Sequence, residues 1–262
     1  MGKKQRSLEG DALFELHYQD IFKDRWPALR ASLLEERHPV AFNEGLMATY
    51  YLDEASIVAA RLLDVQQGDA VLDMCAAPGG KTLVLASRLA GSGHLVANDR
   101  SATRRGRLKL VLANHLPSQW LESVEVTAHD ATKWGLHEHG CYDRILLDAP
   151  CSSERHVLND PKALKEWTPS RPKHLAIQQF AMLAAALEAV KVGGHILYST
   201  CSIEPAENEG VIEKLFSKRS GRFEVTGLGG SEAEERTHGS LYLPDTAQGK
   251  GPLYTCLIRR IS

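Results

Sequence analysis

The chain has 262 residues, of which 43% are hydrophobic and 24% charged, and its formal net charge is −2. This is enough apolar material for the core of one sizeable α/β domain with a short appendage. The longest apolar runs fall well short of the roughly 20 residues that span a bilayer, so no membrane association is expected. The small net charge neither requires nor excludes a nucleic-acid partner.

The cysteines and the start of the chain bear on metal binding and compartment. Five scattered cysteines without a C-x-x-C pair argue against disulfides and structural zinc, and no metal site is expected. The first six residues lack the apolar stretch of a secretory signal and the pattern of a transit peptide. These features predict a cytoplasmic protein, and a monomer is the default expectation.

The N-terminal part of the chain is predicted to be helical. Leucines at helical spacing between residues 9 and 36 predict two helices that are separated near Asp24. We therefore assign residues 1–50 to an N-terminal helical arm and residues 51–262 to the main domain.

Within the main domain, apolar strands alternate with helices. A short amphipathic helix at 56–63 leads into strands predicted at 71–73, 94–97, 124–127, 142–147 and 195–199. The other helices are predicted at about 81–89, 101–114, 175–190 and 207–216. Two late strands near 223–225 and 254–258 would close the sheet as an antiparallel hairpin. This order predicts a mostly parallel, doubly wound α/β sheet.

The loop after the first strand is glycine-rich and opens a helix, an arrangement that brings a cofactor close to backbone amides. Its residues are Cys75, Ala76, Ala77, Pro78, Gly79, Gly80 and Lys81. A P-loop needs glycine where Cys75 stands, and the adjacent Gly79 and Gly80 do not match the dinucleotide pattern G-x-G-x-x-G. A nucleoside without a pyrophosphate fits this loop better, and a plain glycine turn without a ligand stays open as the alternative.

Each of the first four strands ends in an acidic residue: Asp73, Asp99, Asp130 and Asp148. A single aspartate at such a place is commonly a turn or helix cap, but ligands of open α/β sheets sit at the carboxyl ends of the strands. Asp99 is placed to accept hydrogen bonds from ribose hydroxyls, and Asp130 from an adenine amino group. S-adenosylmethionine suits this set because it carries ribose and adenine but no phosphate.

Two cysteines follow strand ends at the same edge of the sheet, in the stretches Asp148-Ala149-Pro150-Cys151-Ser152 and Ser199-Thr200-Cys201-Ser202. An isolated cysteine is commonly a small buried hydrophobe, and we interpret Cys141 and Cys256 in this way. Polar neighbours make Cys151 and Cys201 poor core residues, so both thiols are expected to face the methyl donor.

A thiol suits methyl transfer to a pyrimidine ring. Carbon 5 is a weak nucleophile until a thiolate adds at carbon 6, which makes carbon 5 enamine-like and divides one difficult step into two. A carboxyl group beside ring nitrogen N3 would stabilise the protonated adduct. Asp148 is the candidate for that group, and Lys81 is the cation expected to hold it.

Three motifs occur in the order Cys-Ala-Ala-Pro-Gly-Gly-Lys-Thr, Asp-Ala-Pro-Cys-Ser and Tyr-Ser-Thr-Cys-Ser. Together they resemble the NOP/Sun family of RNA 5-methylcytosine methyltransferases, from about Tyr50 to Phe216. The stretch from Phe14 to Leu34 and the ending Gly251 to Cys256 look like the branch that contains the mitochondrial small-subunit rRNA enzyme. The resemblance implies a Rossmann-like class I methyltransferase that depends on S-adenosylmethionine.

The resemblance also implies roles for individual residues. Cys201 would be the nucleophile at carbon 6, Cys151 would assist release of the product, and Asp148 would contact the cytosine. The loop from Cys75 to Lys81 would hold the methionine part of the cofactor, with Asp148 as a further cofactor-binding residue. Asp99, with Arg104 nearby, would bind the ribose, and Asp130 would approach the adenine.

RNA is the expected partner because the reacting base must be unstacked to admit a thiol and a methyl donor, and structured RNA offers loops for this. Small-subunit rRNA, free or in a partly assembled subunit, is preferred over tRNA because of the branch-like ends of the chain. Candidate phosphate contacts are the basic stretch from Arg100 to Lys109 and the N-terminal Lys3, Lys4 and Arg6.

Three rival interpretations stay open at this point. A DNA cytosine-5 methyltransferase carries its nucleophile in a Pro-Cys motif such as Pro150-Cys151, but it would leave Cys201 unexplained. A ribosome-assembly or RNA-binding protein would keep the fold without the chemistry, and it would not need the complete set of thiols. A redox pair of Cys151 and Cys201 would need neither Asp99 nor Asp130.

Overall fold

The computed structural model of the chain describes residues 9–226 and 232–262. Lys3, Lys4 and Arg6, the expected N-terminal phosphate contacts, lie outside these residues. Within the described ranges, none of the helices has the length and apolarity that a bilayer crossing requires.

Two helices open the described chain, α1 (Gly10–Phe22) and α2 (Trp26–Leu34), and the single 3-10 turn Lys23–Arg25 joins them. The break predicted near Asp24 is thereby confirmed. Their apolar faces are not independent of the main domain, since Phe14 is fully buried and its ring centroid lies 5.2 Å from that of Trp167. The division of the chain at residue 50 stays a prediction.

A short hairpin and a capped helix lead into the main sheet. Strands β1 (Val40–Phe42) and β2 (Tyr50–Leu52) pair antiparallel, and neither strand is predicted from the sequence. Helix α3 (Glu54–Leu62) begins at Asp53, whose carboxylate accepts a hydrogen bond from the Ala55 amide at 2.9 Å. Such a cap satisfies one of the amides that a helix leaves unpaired in its first turn.

Five parallel strands form one side of a nine-stranded sheet. They are β3 (Ala70–Asp73), β4 (His94–Asn98), β5 (Val124–Thr127), β6 (Tyr142–Asp148) and β7 (Val190–Thr200), in the spatial order β5-β4-β3-β6-β7. The strand order reverses direction between β3 and β6, which is where open α/β sheets bind ligands. The predicted α/β class and parallel core are confirmed.

Helices cover both faces of these strands. They are α4 (Gly80–Leu89), α5 (Ala102–His115), α6 (Ser118–Leu121), α7 (Glu154–Asn159), α8 (Pro161–Lys165), α9 (Ser170–Ala189) and α10 (Glu209–Arg219). Neighbouring residues of one strand enter opposite layers of the core, as Ile145 and Leu146 show. Burial on both faces explains why these strands are continuous apolar runs rather than alternating patterns.

The C-terminal strands extend the sheet in the antiparallel sense. They are β8 (Phe223–Thr226), β9 (Glu234–Arg236), β10 (Gly239–Tyr242) and β11 (Leu253–Arg260). The predicted antiparallel pairing of the two late strands is confirmed between β8 and β11. However, β11 lies directly beside β7, and the unpredicted β9 and β10 extend the sheet beyond it.

Two local predictions differ from the structure. Strand β7 begins at Val190, because Gly193, at φ +87°, and Gly194 absorb a register shift against β6 instead of ending the strand. A side chain at Gly194 would place its Cβ 2.8 Å from the Asp143 carbonyl oxygen. A 3-10 helix, Ala131–Leu136, lies between the strands predicted at 124–127 and 142–147, where no helix is predicted, and the Asp130 side chain caps its start.

Candidate active site

The loop after β3 is held against the neighbouring strand ends. The Ala76 amide donates to the Asn98 carbonyl at 2.8 Å, and the Thr82 hydroxyl donates to Asp73 Oδ2 at 2.7 Å. Gly79 has φ +121°, and a Cβ there would lie 3.0 Å from Val111 Cγ1, so this position requires glycine. The predicted loop therefore closes onto the start of α4 as one rigid turn.

Asp73 is an internal part of this turn. The residue is 1% exposed, and burial raises the pKa of its carboxyl group to about 7, against the lowering effect of the Thr82 hydrogen bond. Of the four strand-end acids, Asp73 therefore serves to fasten β3 to α4.

Asp99 and Arg104 occupy the next strand end. Asp99 Oδ1 accepts a hydrogen bond from the Ser101 amide at 2.8 Å. Its buried Oδ2 lies 3.3 Å from Arg104 Nη1 but forms no hydrogen bond with any described residue. Arg104 also donates to the Ala77 carbonyl at 2.6 Å, which connects α5 to the glycine loop. A buried oxygen without a donor fits the ribose-binding role expected of Asp99.

Asp130, which follows β5, lines a cavity together with Asp99. Its Oδ1 caps the 3-10 helix through the amide of Thr132 at 3.1 Å and the hydroxyl of Thr132 at 2.7 Å. The hydroxyl hydrogen bond lowers the pKa of the Asp130 carboxyl group. The cavity is about 610 Å³ and is lined by Cys75, Asp99, Arg104, Asp130 and Met182, among others. This volume lies within the usual range for small-molecule and cofactor sites.

A second cavity of about 270 Å³ adjoins the glycine loop, and Cys75 lines both cavities. Its lining includes Lys81 and Asp148, whose Nζ and Oδ2 atoms are 2.8 Å apart, as expected from the sequence. The Ser199 hydroxyl donates to Asp148 Oδ1 at 2.9 Å. Burial alone would lower the pKa of Lys81, but attraction to Asp148 raises it overall, so Lys81 stays a cation.

The two predicted thiols lie against each other. Cys151 Sγ and Cys201 Sγ are 3.0 Å apart, and all five cysteines of the chain are free thiols. The hydrogen bond from Cys151 lowers the pKa of Cys201, whereas the same bond and burial raise the pKa of Cys151. Lys81 contributes further to the lowered pKa of Cys201. These opposite directions favour Cys201 as the acceptor of the hydrogen bond and Cys151 as its donor.

The other cysteines are not suited to this role. Burial raises the pKa of Cys75 well above its ordinary value and that of Cys256 to about 12. Cys141 is exposed, away from the strand ends. Cys256 is buried, as predicted, whereas the exposure of Cys141 shows that its interpretation as a small buried hydrophobe is wrong.

Sequence reasoning missed the buried polar residues behind the site. Asn98 bonds to Met74, Thr127 and His129 at the ends of three strands, and the carboxyl groups of Glu154 and Glu207 are fully buried behind the thiols. Glu154 and Glu207 follow the cysteine motifs by three and six residues, which is the only signal of their involvement. Charged residues in loops are commonly solvated, so their burial was not evident from the pattern.

The next question is whether side chains at this edge of the sheet could bind a metal ion. Residues 9–226 and 232–262 contain no group of three or more His, Cys, Asp or Glu side chains arranged to hold a metal ion. The groups that converge here are Asp99, Asp130 and the glycine turn, whose nucleoside-binding role stays a prediction.

Comparisons with known proteins agree with this geometry. A sequence model of a protein family, described as 16S rRNA methyltransferase RsmB/F, matches residues 60–258. The 5-cytosine rRNA methyltransferase NSUN4 of Mus musculus is 36% identical over 239 residues, covering 83% of this chain and 61% of the relative. A crystal structure of NSun6 from Pyrococcus horikoshii with SFG is similar at a TM-score of 0.68 and 27% identity, covering 84% of this chain and 55% of that one.

The relatives contradict the predicted cytoplasmic location. A mitochondrial tRNA (cytosine(34)-C(5))-methyltransferase of Danio rerio is 33% identical over 231 residues, covering 83% of this chain and 62% of the relative. This relative is a mitochondrial enzyme, and it points to mitochondria rather than the cytoplasm. The prediction failed because it was based on the cysteines and the first six residues, and neither of these features determines the compartment of a protein. The chain spans about three fifths of the length of these relatives.

Proposed function

The chain belongs to the 16S rRNA methyltransferase RsmB/F family, and from this premise we propose that it transfers a methyl group from S-adenosylmethionine to carbon 5 of a cytosine in RNA. The observation that carries the proposal is the contact between Cys201 and Cys151 beside Asp148 and Lys81. Two thiols at one strand edge, with a carboxylate held by a cation, supply what a cysteine–pyrimidine adduct needs.

The residues around the two cavities fit the cofactor. S-adenosylmethionine supplies the electrophilic methyl group when bound. We assign its ribose to Asp99, its adenine to the side of Asp130, and its methionine part to the loop from Cys75 to Lys81. Asp99 Oδ2, which accepts no hydrogen bond from a described residue, supports the ribose assignment. The presence of SFG, an analogue of S-adenosylmethionine, in the similar structure from Pyrococcus horikoshii supports the choice of cofactor.

Cys201 is the proposed nucleophile. Its Sγ forms a bond to carbon 6 of the cytosine, and the ring is stabilised by Asp148, which would face N3. Carbon 5 would then bond to the methyl group while the methyl–sulfur bond of the cofactor breaks, leaving S-adenosylhomocysteine, after which the carbon-5 proton passes to a base or to water. The electron pair of that C–H bond restores the ring double bond and expels the Cys201 thiolate.

Cys151 is proposed to assist the last of these events. With the proton on Cys151, its thiol would donate across the 3.0 Å contact to Cys201 Sγ and stabilise that sulfur as a departing thiolate. The opposite directions of the two pKa shifts support this division, because the donor stays protonated while the acceptor becomes the anion.

Ribosomal RNA is the substrate that the relatives favour, and transfer RNA is the second candidate. NSUN4 of Mus musculus is a 5-cytosine rRNA methyltransferase, and the Danio rerio relative acts on tRNA. We infer a mitochondrial setting for this chain from the latter relative. A covalent adduct carries the modified RNA with it, so trapping the adduct identifies the RNA that is modified.

Covalent trapping tests the proposal. Wild type, Cys151→Ala and Cys201→Ala are incubated with S-adenosylmethionine and RNA, either rRNA fragments or tRNA, and run on a denaturing gel. Cys151→Ala is expected to accumulate a protein–RNA adduct, because the donor to the leaving sulfur is removed, and Cys201→Ala to form none. Cys141→Ala is the matched control and is expected to behave like wild type.

Each other result has a definite meaning. An adduct with Cys201→Ala alone would exchange the roles of the thiols, as in a DNA-type arrangement. Absence of both adduct and methylation on every RNA would overturn the enzyme proposal in favour of a non-catalytic binding protein. Sequencing of the trapped RNA distinguishes rRNA from tRNA as the substrate.

A further inference from the structure

Each cysteine lies in a short loop after its strand, and we call these the thiol loops. The Cys151 loop comprises residues 149–154, up to the start of α7, and the Cys201 loop comprises residues 201–208, up to the start of α10. Their neighbouring residues Ser152 and Ser202 are fully buried. The loops belong to adjacent parallel strands and are more than forty residues apart in the chain.

Glu154 extends from the Cys151 loop into the Cys201 loop. Its Oε1 accepts a hydrogen bond from the Ser202 hydroxyl at 2.9 Å, and its Oε2 accepts one from the Ile203 amide at 3.0 Å. The Tyr18 hydroxyl of α1 donates to the same Oε1 at 2.7 Å. Glu154 thus holds both residues that follow Cys201.

Glu207 makes the reverse connection. It belongs to the Cys201 loop, and its Oε2 accepts a hydrogen bond from the Ser152 amide at 3.0 Å, directly beside Cys151. Gln179 of α9 donates to the same Oε2 at 2.7 Å and to the Pro150 carbonyl at 2.9 Å, so it fixes the other side of Cys151. The two glutamates therefore cross between the loops in opposite directions.

The carboxyl groups of Glu154 and Glu207 are held by hydrogen bonds and not by ion pairs among the described residues. Glu154 and Glu207 are both 0% exposed, and no lysine, arginine or histidine of the described ranges forms an ion pair with either. Ser202 Oγ lies 2.9 Å from Glu154 and 3.4 Å from Glu207, so one hydroxyl stands between the two carboxyl groups. Ionising two buried carboxyl groups this close together costs folding free energy unless one of them keeps a proton. A functional role would explain why the protein has both.

We propose that Glu154 and Glu207 are reciprocal positioning residues, each of which extends from one thiol loop and fixes the backbone beside the cysteine of the other. The proposal rests on the proposed function, since it assigns the two glutamates to different steps of that reaction. Glu154 fixes the position of Cys201 and so governs bond formation to carbon 6. Glu207 fixes the position of Cys151 and so governs departure of the Cys201 sulfur.

The first test needs no RNA. Glutathione disulfide oxidises the two thiols to a Cys151–Cys201 disulfide with release of two reduced glutathiones, and the equilibrium constant reports how closely the loops hold the sulfurs. Glu154→Ala and Glu207→Ala are each expected to lower this constant by about 10-fold or more. Glu154→Gln and Glu207→Gln, which keep the shape and an acceptor oxygen, are expected to restore most of it.

The second test separates the two steps. Adduct formation is measured in the Cys151→Ala background, where release is blocked. Adding Glu154→Ala is expected to slow adduct formation by about 100-fold, the cost of a displacement near 1 Å, whereas adding Glu207→Ala has little effect. With Cys151 intact, Glu207→Ala is expected to accumulate adduct during turnover, and Glu154→Ala is not.

Glu213→Ala, on the exposed face of α10, is the matched control and is expected to match wild type in both tests. An unchanged disulfide constant in both alanine variants would overturn the positioning proposal. So would equal losses of adduct formation and release in both variants with no recovery by glutamine, which would indicate a merely structural role. If Cys151→Ala alone forms no adduct on any RNA, the proposed function fails, while the disulfide test still decides whether the glutamates position the loops.

Discussion

At the scale of single residues, the site works by giving chemically similar groups different surroundings. Cys151 and Cys201 are both thiols at strand ends, yet one hydrogen bond raises the pKa of the donor and lowers that of the acceptor. Asp73 and Asp99 are both buried strand-end acids, and each has one oxygen without a hydrogen-bond partner among the described residues, yet Asp73 lines the smaller cavity and Asp99 the larger one. Roles follow from neighbours rather than from residue type.

Asp99 carries the residue-scale prediction. Asp99→Asn replaces the free carboxylate oxygen with an amide or a neutral oxygen, and a hydrogen bond to a charged group is worth about 1.5–3 kcal/mol. The dissociation constant for S-adenosylhomocysteine is therefore expected to rise about 10- to 100-fold, measured by calorimetry. Glu125→Gln, an exposed acid on the neighbouring strand β5, is the control. Equal affinity of wild type and Asp99→Asn would remove Asp99 from the cofactor site.

At the scale of elements, α5 contributes to two different surfaces. At its start, Arg105 donates to the backbone carbonyls of Asp99 and Arg100 at 2.8 Å each, so its charge is used to hold the loop after β4. Arg107 and Lys109 are exposed on either side of the buried Leu108. The basic stretch noted in the sequence therefore divides into an inward anchor and an outward charged face.

The outward face carries the element-scale prediction. In the double variant Arg107→Glu with Lys109→Glu, RNA affinity is expected to fall, and the slope of log affinity against log salt is expected to decrease by about 1 for each phosphate that the helix no longer neutralises. Arg88→Glu, an exposed arginine of α4, serves as the control. Filter binding over a salt series measures both quantities. An unchanged slope would exclude α5 from the RNA-binding surface.

At the scale of the whole molecule, buried acids link stability to pH. Burial raises the pKa of Glu207 from 4.5 to about 7, with the nearby Glu154 acting in the same direction. The groups that face Glu207 include three ionisable neighbours besides Glu154 of α7, namely the Cys151 thiol, Tyr18 and Tyr198. They also include uncharged hydrogen-bond donors: Gln179 of α9, the Ser152 amide and the Ser202 hydroxyl. None of these groups carries a positive charge that would stabilise the ionised form.

Unfolding across pH provides the corresponding prediction. The folded protein holds the Glu207 proton up to about pH 7, whereas the unfolded chain releases it near pH 4.5. The stability of the folded protein is therefore highest, with respect to this group, below pH 4.5, and it falls as the pH rises to about 7. The loss amounts to at most about 3 kcal/mol. Glu207→Gln cannot ionise, so its free energy of unfolding relative to wild type is expected to increase over this range. The free energies of unfolding are measured by urea unfolding at pH 5 and pH 8. The same difference between Glu207→Gln and wild type at both pH values would contradict the prediction.

Sequence alone was sufficient for the features that depend on local pattern. The doubly wound sheet followed from buried apolar runs alternating with helices, and the family from three motifs in a fixed order; the structure and the comparisons confirm both. The residues proposed for cofactor and cytosine were named from motif position, and they stay predictions until the experiments above are done. Their convergence at one edge was foreseeable because parallel strands place their carboxyl ends together.

Tertiary structure decided whatever depends on contacts between distant segments. The placement of β11 beside β7 and the burial of Phe14 against Trp167 follow from packing that no local pattern encodes. The same holds for the crossing of Glu154 and Glu207 between the thiol loops, since a glutamate in a polar loop has the same sequence signature whether solvated or buried. Its burial depends on donors from α1, α9 and the opposite loop. Local pattern thus names the groups that can react, and the tertiary fold determines which neighbours set their charge and position.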